Sequence, residues 1–217
     1  RYPMTEPGSA DEVFADLGEQ HGTRLYSQGS PQLGPSQDRS LVEQLLSRFT
    51  AAEFDRDRLV VEHLVQTDPT VAFRTARPGH LTGSAFVVNS AGTHALLLFH
   101  RKLQRWLQPG GHADGDCNLA AVALKEATEE SGIVGLRVDP LPLDLDIHVV
   151  APPREDRHLH LDVRFLVVAP EGAEARINDE SEGFCWLNPE QLAAADVDEG
   201  LRRLATAGFE RFAGHEL

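Results

Sequence analysis

The sequence predicts an α/β fold, in which a mixed β-sheet carries helices on its faces and a small helical subdomain precedes it. Three observations favour this class. Apolar residues fall at helical spacing through residues 40–66. A series of strand-like segments follows, interrupted by one strong helical pattern over residues 118–131. Two more helical patterns lie toward the C-terminus.

Residues 1–38 are rich in Gly, Pro, Ser, Gln and acidic residues, with scattered apolar side chains. This composition predicts a flexible N-terminal extension. Within it, apolar residues at helical spacing indicate a short helix over residues 11–17.

Residues 39–75 are predicted to form the helical subdomain, with two helices. Ser40 is a suitable N-cap for the first helix, and Glu43 completes a capping box. The second helix is expected to end at Asp68-Pro69, because proline cannot continue it. Its apolar stripe consists of Leu59, Val60, Leu64 and Val65.

Residues 76–217 are predicted to form the main domain. Residues 90–92 have the composition of a turn between its first two strands. The central helix covers residues 118–131, and two C-terminal helices cover residues 189–195 and 198–212. The predicted strands are residues 84–89, 94–100, 144–150, 158–169 and 183–187.

The composition excludes several classes of protein. The formal net charge of −14 over 217 residues argues against binding to a nucleic-acid polymer, which needs a basic stripe. The longest apolar run, residues 95–99, is far short of a membrane span. Cys117 and Cys185 fit neither a zinc spacing nor a disulfide framework, which favours a reducing, cytoplasmic setting. An acidic protein that binds phosphate needs local positive charge, and a divalent metal ion is the obvious source.

The central helix carries three carboxylates on one face. Glu126, Glu129 and Glu130 stand at positions i, i+3 and i+4. On an exposed face they would repel one another by only ~0.2–0.5 kcal/mol per pair, so a solvated acidic face is the alternative interpretation. In a cleft the cost is larger, and such oxygen ligands suit Mg²⁺, which also binds substrate phosphates. Gly132 is placed to end this helix in the left-handed conformation.

The segment around these carboxylates resembles the Nudix box, Gx5Ex7REUxEExGU, in which U is aliphatic. The resemblance continues through residues 79–85, 100–103 and 106–116, and it covers about residues 40–213. It implies a Nudix-type α/β/α sandwich and a Mg²⁺-dependent hydrolase, with Mn²⁺ as an alternative cofactor. The matching box residues are Gly111, Glu126, Glu129, Glu130, Gly132 and Ile133.

Two positions depart from the box. Cys117 stands where the family has its first Glu, and Lys125 stands where it has Arg. In the family these two residues support the loop before the helix, partly through their mutual interaction. Cys117 cannot pair with Lys125 as a carboxylate would, so Asp114 or Asp116 is expected to take that role.

The resemblance also implies the site residues. The metal site would consist of Gly111, Glu126, Glu129 and Glu130, although Glu129 or Glu130 could instead orient the attacking water. Many family members take a general base or an extra metal ligand from a later loop, which makes Glu182 or Glu180 a candidate base. Glu180 is also a candidate for substrate binding. A charged loop tip is the alternative for both loop residues.

A second set of polar residues alternates with apolar ones on a predicted strand, so that they share one face. This face is either exposed to solvent or lines the substrate cleft. In the second case Arg164 would meet a phosphate bidentately. The histidines, together with His112 and with His148 as a further candidate, would bind phosphate or a transition metal. The polar residues are His158, His160, Asp162 and Arg164.

The expected reaction is therefore attack of water on phosphorus in a phosphate-containing small molecule. A nucleotide sugar, ADP-ribose, a dinucleotide and a nucleoside triphosphate all fit, because these residues do not specify the leaving group. A non-catalytic Nudix-like module that senses a nucleotide is one alternative. An isoprenoid diphosphate isomerase is another, although its usual cysteine and histidine pattern is not evident. No membrane partner is expected, and the family allows a homodimer.

Overall fold

The computed structural model describes residues 24–151 and 156–214 of the chain. In this described part, eight strands form one mixed sheet, and helices pack on both of its faces. The predicted fold class is therefore confirmed. The short helix expected over residues 11–17 lies outside the described residues.

The sheet has the order β1-β6-β7-β2-β3-β4, with β5 paired to β2 and β8 paired to β3. Strands β2 and β7 are parallel, and the other pairs are antiparallel. The predicted strands are present, while the short β1, β4 and β5 escaped prediction because two or three residues show no periodicity. The strands are β1 (Tyr26–Ser27), β2 (Gly79–Val88), β3 (Ala95–His100), β4 (Arg105–Leu107), β5 (Gly110–His112), β6 (Arg137–Val150), β7 (His158–Val168) and β8 (Ser181–Leu187).

The predicted helices are present near their expected bounds. Asn118 and Asp198 cap two of them by accepting backbone N–H groups, as short polar side chains do at helix starts. No helix in the described ranges has both the length and the apolar character needed to cross a membrane. The helices are α1 (Ser40–Leu46), α2 (Asp55–Thr67), α3 (Leu119–Ser131), α4 (Pro189–Ala194) and α5 (Glu199–Ala213).

Two details of the helical segment differ from the prediction. The capping box at Ser40 is wrong, because Ser40 is the first helical residue and its N–H donates to Asp38 Oδ1 at 2.9 Å. On α2, Leu59 and Val60 are exposed, and the buried stripe keeps the predicted Leu64 and Val65 but begins at Val61. That stripe consists of Val61, Leu64 and Val65.

Alternation along β2 assigns each of its residues to one helix layer. A Cβ on Gly83 would lie 2.8 Å from the Leu119 carbonyl oxygen, so α3 packs directly against this side of the sheet. On the other side, a Cβ on Gly208 of α5 would lie 2.1 Å from the Phe86 ring. Odd-numbered residues of β2 therefore face α3, and even-numbered residues face α5.

Residues 24–38, the described part of the expected N-terminal extension, contact the main domain, while residues 1–23 lie outside the described residues. Strand β1 pairs with β6, and Leu33 is buried. The Asn118 side chain donates to the carbonyls of Gln32 and Gly34 at 3.0 and 3.1 Å. Helices α1 and α2 share one hydrophobic cluster with α3 and the sheet, so residues 39–75 form a layer on the main domain without a separate core.

Candidate active site

Helix α3 presents its acidic face beside the short strand β5. Ala120, Leu124 and Ala127, which lie on a different side of the helix from the carboxylates, are buried in one hydrophobic cluster with residues of the sheet, and this burial fixes the rotation of the helix. The helix ends at Gly132, which has the predicted left-handed conformation with φ 64°, and Ile133 is buried after it.

Two of the three carboxylates contact strand β5, which precedes the helix. The Glu126 carboxyl lies over Gly111, where a Cβ would come within 2.5 Å of its carbon and of Oε2. Glu130 Oε2 accepts the Gly110 N–H at 3.3 Å. Glu129 is more open, with 56% of its side chain exposed against 17% for Glu126. The side chains thus converge where only glycine leaves room for a carboxyl group.

The surroundings of these carboxylates disfavour their charged form. Burial, together with the negative charges of Glu126 and Glu180, raises the pKa of Glu130 to about 8, although the Gly110 hydrogen bond opposes the shift. Burial also raises the pKa of Glu126, although Lys125 opposes that shift. A divalent cation would offset this repulsion, so the donor set fits Mg²⁺ or Mn²⁺.

The family model of the NUDIX domain matches residues 80–207, which is more than half of the chain. The chain belongs to the NUDIX family. The resemblance predicted from the box is confirmed, and with it, at the level of the family, the prediction of a Nudix-type enzyme.

Solved structures of other proteins are similar to part of this chain. An Ap4A hydrolase from C. elegans, in a binary complex, has a TM-score of 0.51 and 16% identity, covering 62% of this chain and 98% of that chain. A NUDIX-family hydrolase from Clostridium perfringens has a TM-score of 0.48 and 22% identity, covering 61% and 97%. The dihydroneopterin triphosphate pyrophosphohydrolase of E. coli has a TM-score of 0.46 and 14% identity, covering 62% of this chain and 97% of that chain. A search of curated proteins finds no match.

In this NUDIX protein the Lys at the box Arg position contacts the helix carboxylates. Lys125 Nζ lies 3.0 Å from Glu126 Oε1 and 3.7 Å from Glu129 Oε2. The hydrogen bond to Glu126 and the neighbouring negative charges raise the pKa of Lys125. A single positive charge therefore already lies beside two of the proposed metal ligands.

The two loop aspartates, one of which was expected to pair with Lys125, form hydrogen bonds with other residues. Asp114 forms a bidentate pair with Arg74, at 2.9 and 2.6 Å. Asp116 Oδ1 accepts the N–H groups of Ser36 and Asn118, both at 2.9 Å. Both aspartates stabilise the loop before α3 through these contacts. The loop is therefore held by other interactions than the Glu–Arg pair of the family.

The residue at the first Glu position of the box is fully buried. Cys117 is 1% exposed, and its N–H donates to the Ser36 carbonyl at 2.6 Å. Burial, together with the negative charge of Asp116, raises the pKa of its thiol to about 11. A small neutral side chain fits here because the N-terminal segment packs against the loop.

The two candidate bases occupy different surroundings. Glu180 is near enough to Glu126 and Glu130 to raise the pKa of both carboxyls by its charge. Glu182 instead accepts a hydrogen bond from Gln104 Nε2 at 3.2 Å. Of the two predicted loop residues, Glu180 is thus the one whose charge reaches the α3 carboxylates.

The alternating polar residues of β7 lie on the α5 face of the sheet, opposite α3. Arg164 is 4% exposed and donates to Asp162, Asp144 and Asp146 at 2.8–3.0 Å, and also to the Gly200 carbonyl. Its guanidinium nitrogens are therefore engaged, which contradicts the predicted bidentate contact with a phosphate. Solvent exposure, the other interpretation of this face, is wrong as well.

Asp162 is the buried centre of this face rather than a substrate contact. It is 1% exposed and accepts hydrogen bonds from the hydroxyls of Thr82 and Ser84 and from Arg164. Arg203 of α5 closes the network by pairing with Asp144 at 2.7 Å. The predicted substrate-binding face is in this region a structural ion network.

The predicted histidines gather on the same α5 face, and β2 adds one that the sequence did not single out. The structure groups His80 with His112 and His160, while His158 lies beside them. His80 was missed because β2 begins at Gly79, earlier than the predicted strand at residue 84. Extending the strand pattern back to Gly79 would have placed His80 on the face of Thr82 and Ser84.

Proposed function

We propose that this NUDIX protein hydrolyses a phosphoanhydride bond in a nucleotide-linked small molecule. A divalent cation, Mg²⁺ with Mn²⁺ as the alternative, would be held by Glu126, Glu129 and Glu130. The observation that carries the proposal is the convergence of the Glu126 and Glu130 carboxyls on Gly110 and Gly111, in surroundings that raise the pKa of both. Membership of the NUDIX family supports the same reaction class.

The cation fits the donor set for an electrostatic reason. Carboxylates withdrawn from water are costly when they lack a positive partner, and Lys125 supplies only one charge. Mg²⁺ binds through a few carboxylates and keeps other positions for water and substrate phosphates. When bound, it would stabilise the negative charge that develops on the phosphoryl oxygens.

The residues of the chain would then hold the metal-binding carboxylates in place and accept a proton from water. The Gly110 N–H holds Glu130, and the missing side chain at Gly111 leaves space for Glu126. In the reaction a water oxygen forms a bond to phosphorus, the bond from phosphorus to the leaving phosphate oxygen breaks, and the water proton passes to a base. We propose Glu180 as this base, because its charge reaches the same carboxylates.

Magnesium titration of carboxylate variants tests the proposed metal site. Glu129→Gln and Glu130→Gln are expected to lower the Mg²⁺ affinity measured by isothermal titration by at least about tenfold, since each removes a charged oxygen ligand. The exposed Glu190 on α4 gives a matched control, Glu190→Gln, which should bind as wild type does. Unchanged affinity in both α3 variants would refute the assignment.

A substrate panel tests the reaction. The panel contains a nucleotide sugar, ADP-ribose, a dinucleotide and a nucleoside triphosphate, and chromatography measures the nucleoside monophosphate released. Turnover of at least one compound is expected in Mg²⁺ or Mn²⁺. Glu180→Gln should lower kcat by about 100-fold or more with little change in KM, while Glu182→Gln should not. Binding without turnover across the panel would favour the nucleotide-sensing module.

A further inference from the structure

Five histidines cluster on the α5 face of the sheet, across from the carboxylates of α3. The His80 ring lies 4.9 Å from the rings of His158 and His160 and 5.0 Å from that of His112, measured between centroids. The His148 ring lies 5.3 Å from that of His160. Imidazoles from four strands, β2, β5, β6 and β7, therefore converge at one end of the sheet.

His80 is the least satisfied member of this cluster. It is 0% exposed, and neither ring nitrogen has a hydrogen-bond partner of normal geometry, although the Ala76 carbonyl lies close enough to favour protonation. A buried polar atom without a partner costs about 1–3 kcal/mol. An imidazole kept here, turned toward other imidazoles, indicates a partner that binds ring nitrogen.

The spacing of three histidines suits a metal ion. One ring nitrogen from each of His80, His112 and His160 lies within 4.8 Å of the others. Tetrahedral zinc with Zn–N bonds of ~2.0–2.1 Å holds its nitrogens about 3.4 Å apart, so small side-chain rotations would close the site. The ligands come from three different strands, β2, β5 and β7, and His80 and His160 are register partners.

We propose that His80, His112 and His160 bind a transition-metal ion, with zinc as the first expectation, at a site separate from the carboxylate site of α3. Three imidazoles suit zinc and related ions, whereas Mg²⁺ prefers oxygen. The register Thr82↔His112 puts His112 on the α5 face, while its neighbour Gly111 faces α3 and Glu126. The same strand thus contributes to both sites from opposite sides.

The hydrogen bond of a fourth histidine leaves one more ring nitrogen beside the proposed ligands. His158 Nδ1 lies 2.7 Å from the Asp156 carbonyl, which only accepts, so Nδ1 carries the proton and Nε2 remains a potential ligand beside His80.

Metal retention by the full chain, purified without a polyhistidine tag, tests the proposal. The protein is stripped with EDTA, incubated with ZnCl₂, desalted and analysed by elemental mass spectrometry. Wild type should retain about one zinc per chain. His112→Gln and His160→Gln should lose more than about 100-fold in zinc affinity, because each removes a ligand. These two positions carry the test because they are only partly buried, so their variants should fold.

Three controls separate this site from other binding. His63→Gln, at an exposed position on α2, should retain zinc as wild type does. Glu130→Gln should also retain it, which distinguishes the cluster from the carboxylate site. Circular dichroism confirms folding of every variant.

A cobalt spectrum tests the geometry of the site. Addition of CoCl₂ should give the d–d absorption of tetrahedral nitrogen coordination in wild type, and this absorption should be absent in His160→Gln. No retained zinc in wild type, or equal retention by the folded cluster variants, would overturn the proposal.

Discussion

Replacing Arg164 by Met should destabilise the protein strongly, because it leaves the buried carboxylate of Asp162 without its cation. Arg164 contacts Asp144 and Asp162, whose side chains are 1% and 2% exposed. Arg203 still reaches Asp144, but Asp162 would keep only its two hydroxyl donors. Removing one partner from a buried ion network costs ~3–5 kcal/mol, a large part of a total stability of ~5–15 kcal/mol.

Urea unfolding measures this loss. With an m-value of roughly 2 kcal/mol per molar for a chain of this size, the midpoint should fall by about 1.5–2.5 M. Arg176→Met is the matched control, because Arg176 is 84% exposed and its pair with Glu174 spans 4.0 Å, so its midpoint should not change. A midpoint for Arg164→Met equal to that of the control, with a raised KM for substrate, would refute the structural role and restore the phosphate-binding one.

The same variant should change how the unfolding free energy depends on pH in the acidic range. Burial raises the pKa of Asp162, but the positive charge and hydrogen bonds of Arg164 more than offset this, so the pKa is lowered from its ordinary 3.8. A carboxyl with a lowered folded-state pKa stabilises the fold above its unfolded pKa and loses that contribution as the pH falls below it. Between about pH 5 and pH 3 the unfolding free energy of Arg164→Met should therefore fall less steeply than that of wild type. An equal slope would contradict the assignment.

Three further outcomes follow from the close contacts of the site. Gly111→Ala should weaken Mg²⁺ binding by about tenfold or more in titration calorimetry, because the new Cβ displaces the Glu126 carboxyl. Gly183→Ala is the control and should leave Mg²⁺ binding unchanged, because its Cβ would meet only Trp106, at 4.0 Å. Gly83→Ala should lower the unfolding free energy by about 1–3 kcal/mol in urea, since its Cβ would press on the backbone of α3; a neutral effect would contradict that packing. Cys117 should resist iodoacetamide at pH 8 in the native protein and react once the protein is denatured, because its pKa of about 11 keeps it a protonated, buried thiol. The contribution of this protonated thiol to stability is complete below pH 9, its ordinary pKa, and is lost as the pH rises toward 11.

The sequence determined the features that depend on local pattern. The spacing of Glu126, Glu129 and Glu130 fixes them on one helix face, and Gly132 ends that helix as predicted. Period-two alternation identified the long strands and the shared face of the β7 polar residues. The Nudix box, with its two departures, was sufficient to indicate the family and the expected α/β/α class.

Tertiary structure decided what depends on pairing between distant segments. The parallel register of β2 and β7 sets His80 beside His160 and Thr82 beside Asp162, and no local pattern encodes that register. The fold also places Arg164, which was predicted to bind phosphate, among the buried carboxylates of Asp144, Asp146 and Asp162. Likewise, only the folded chain shows why Cys117 tolerates its position, because the segment that buries it lies about 80 residues earlier in the sequence. Such contacts arise from packing and charge compensation across the sheet, which act between residues far apart in the chain.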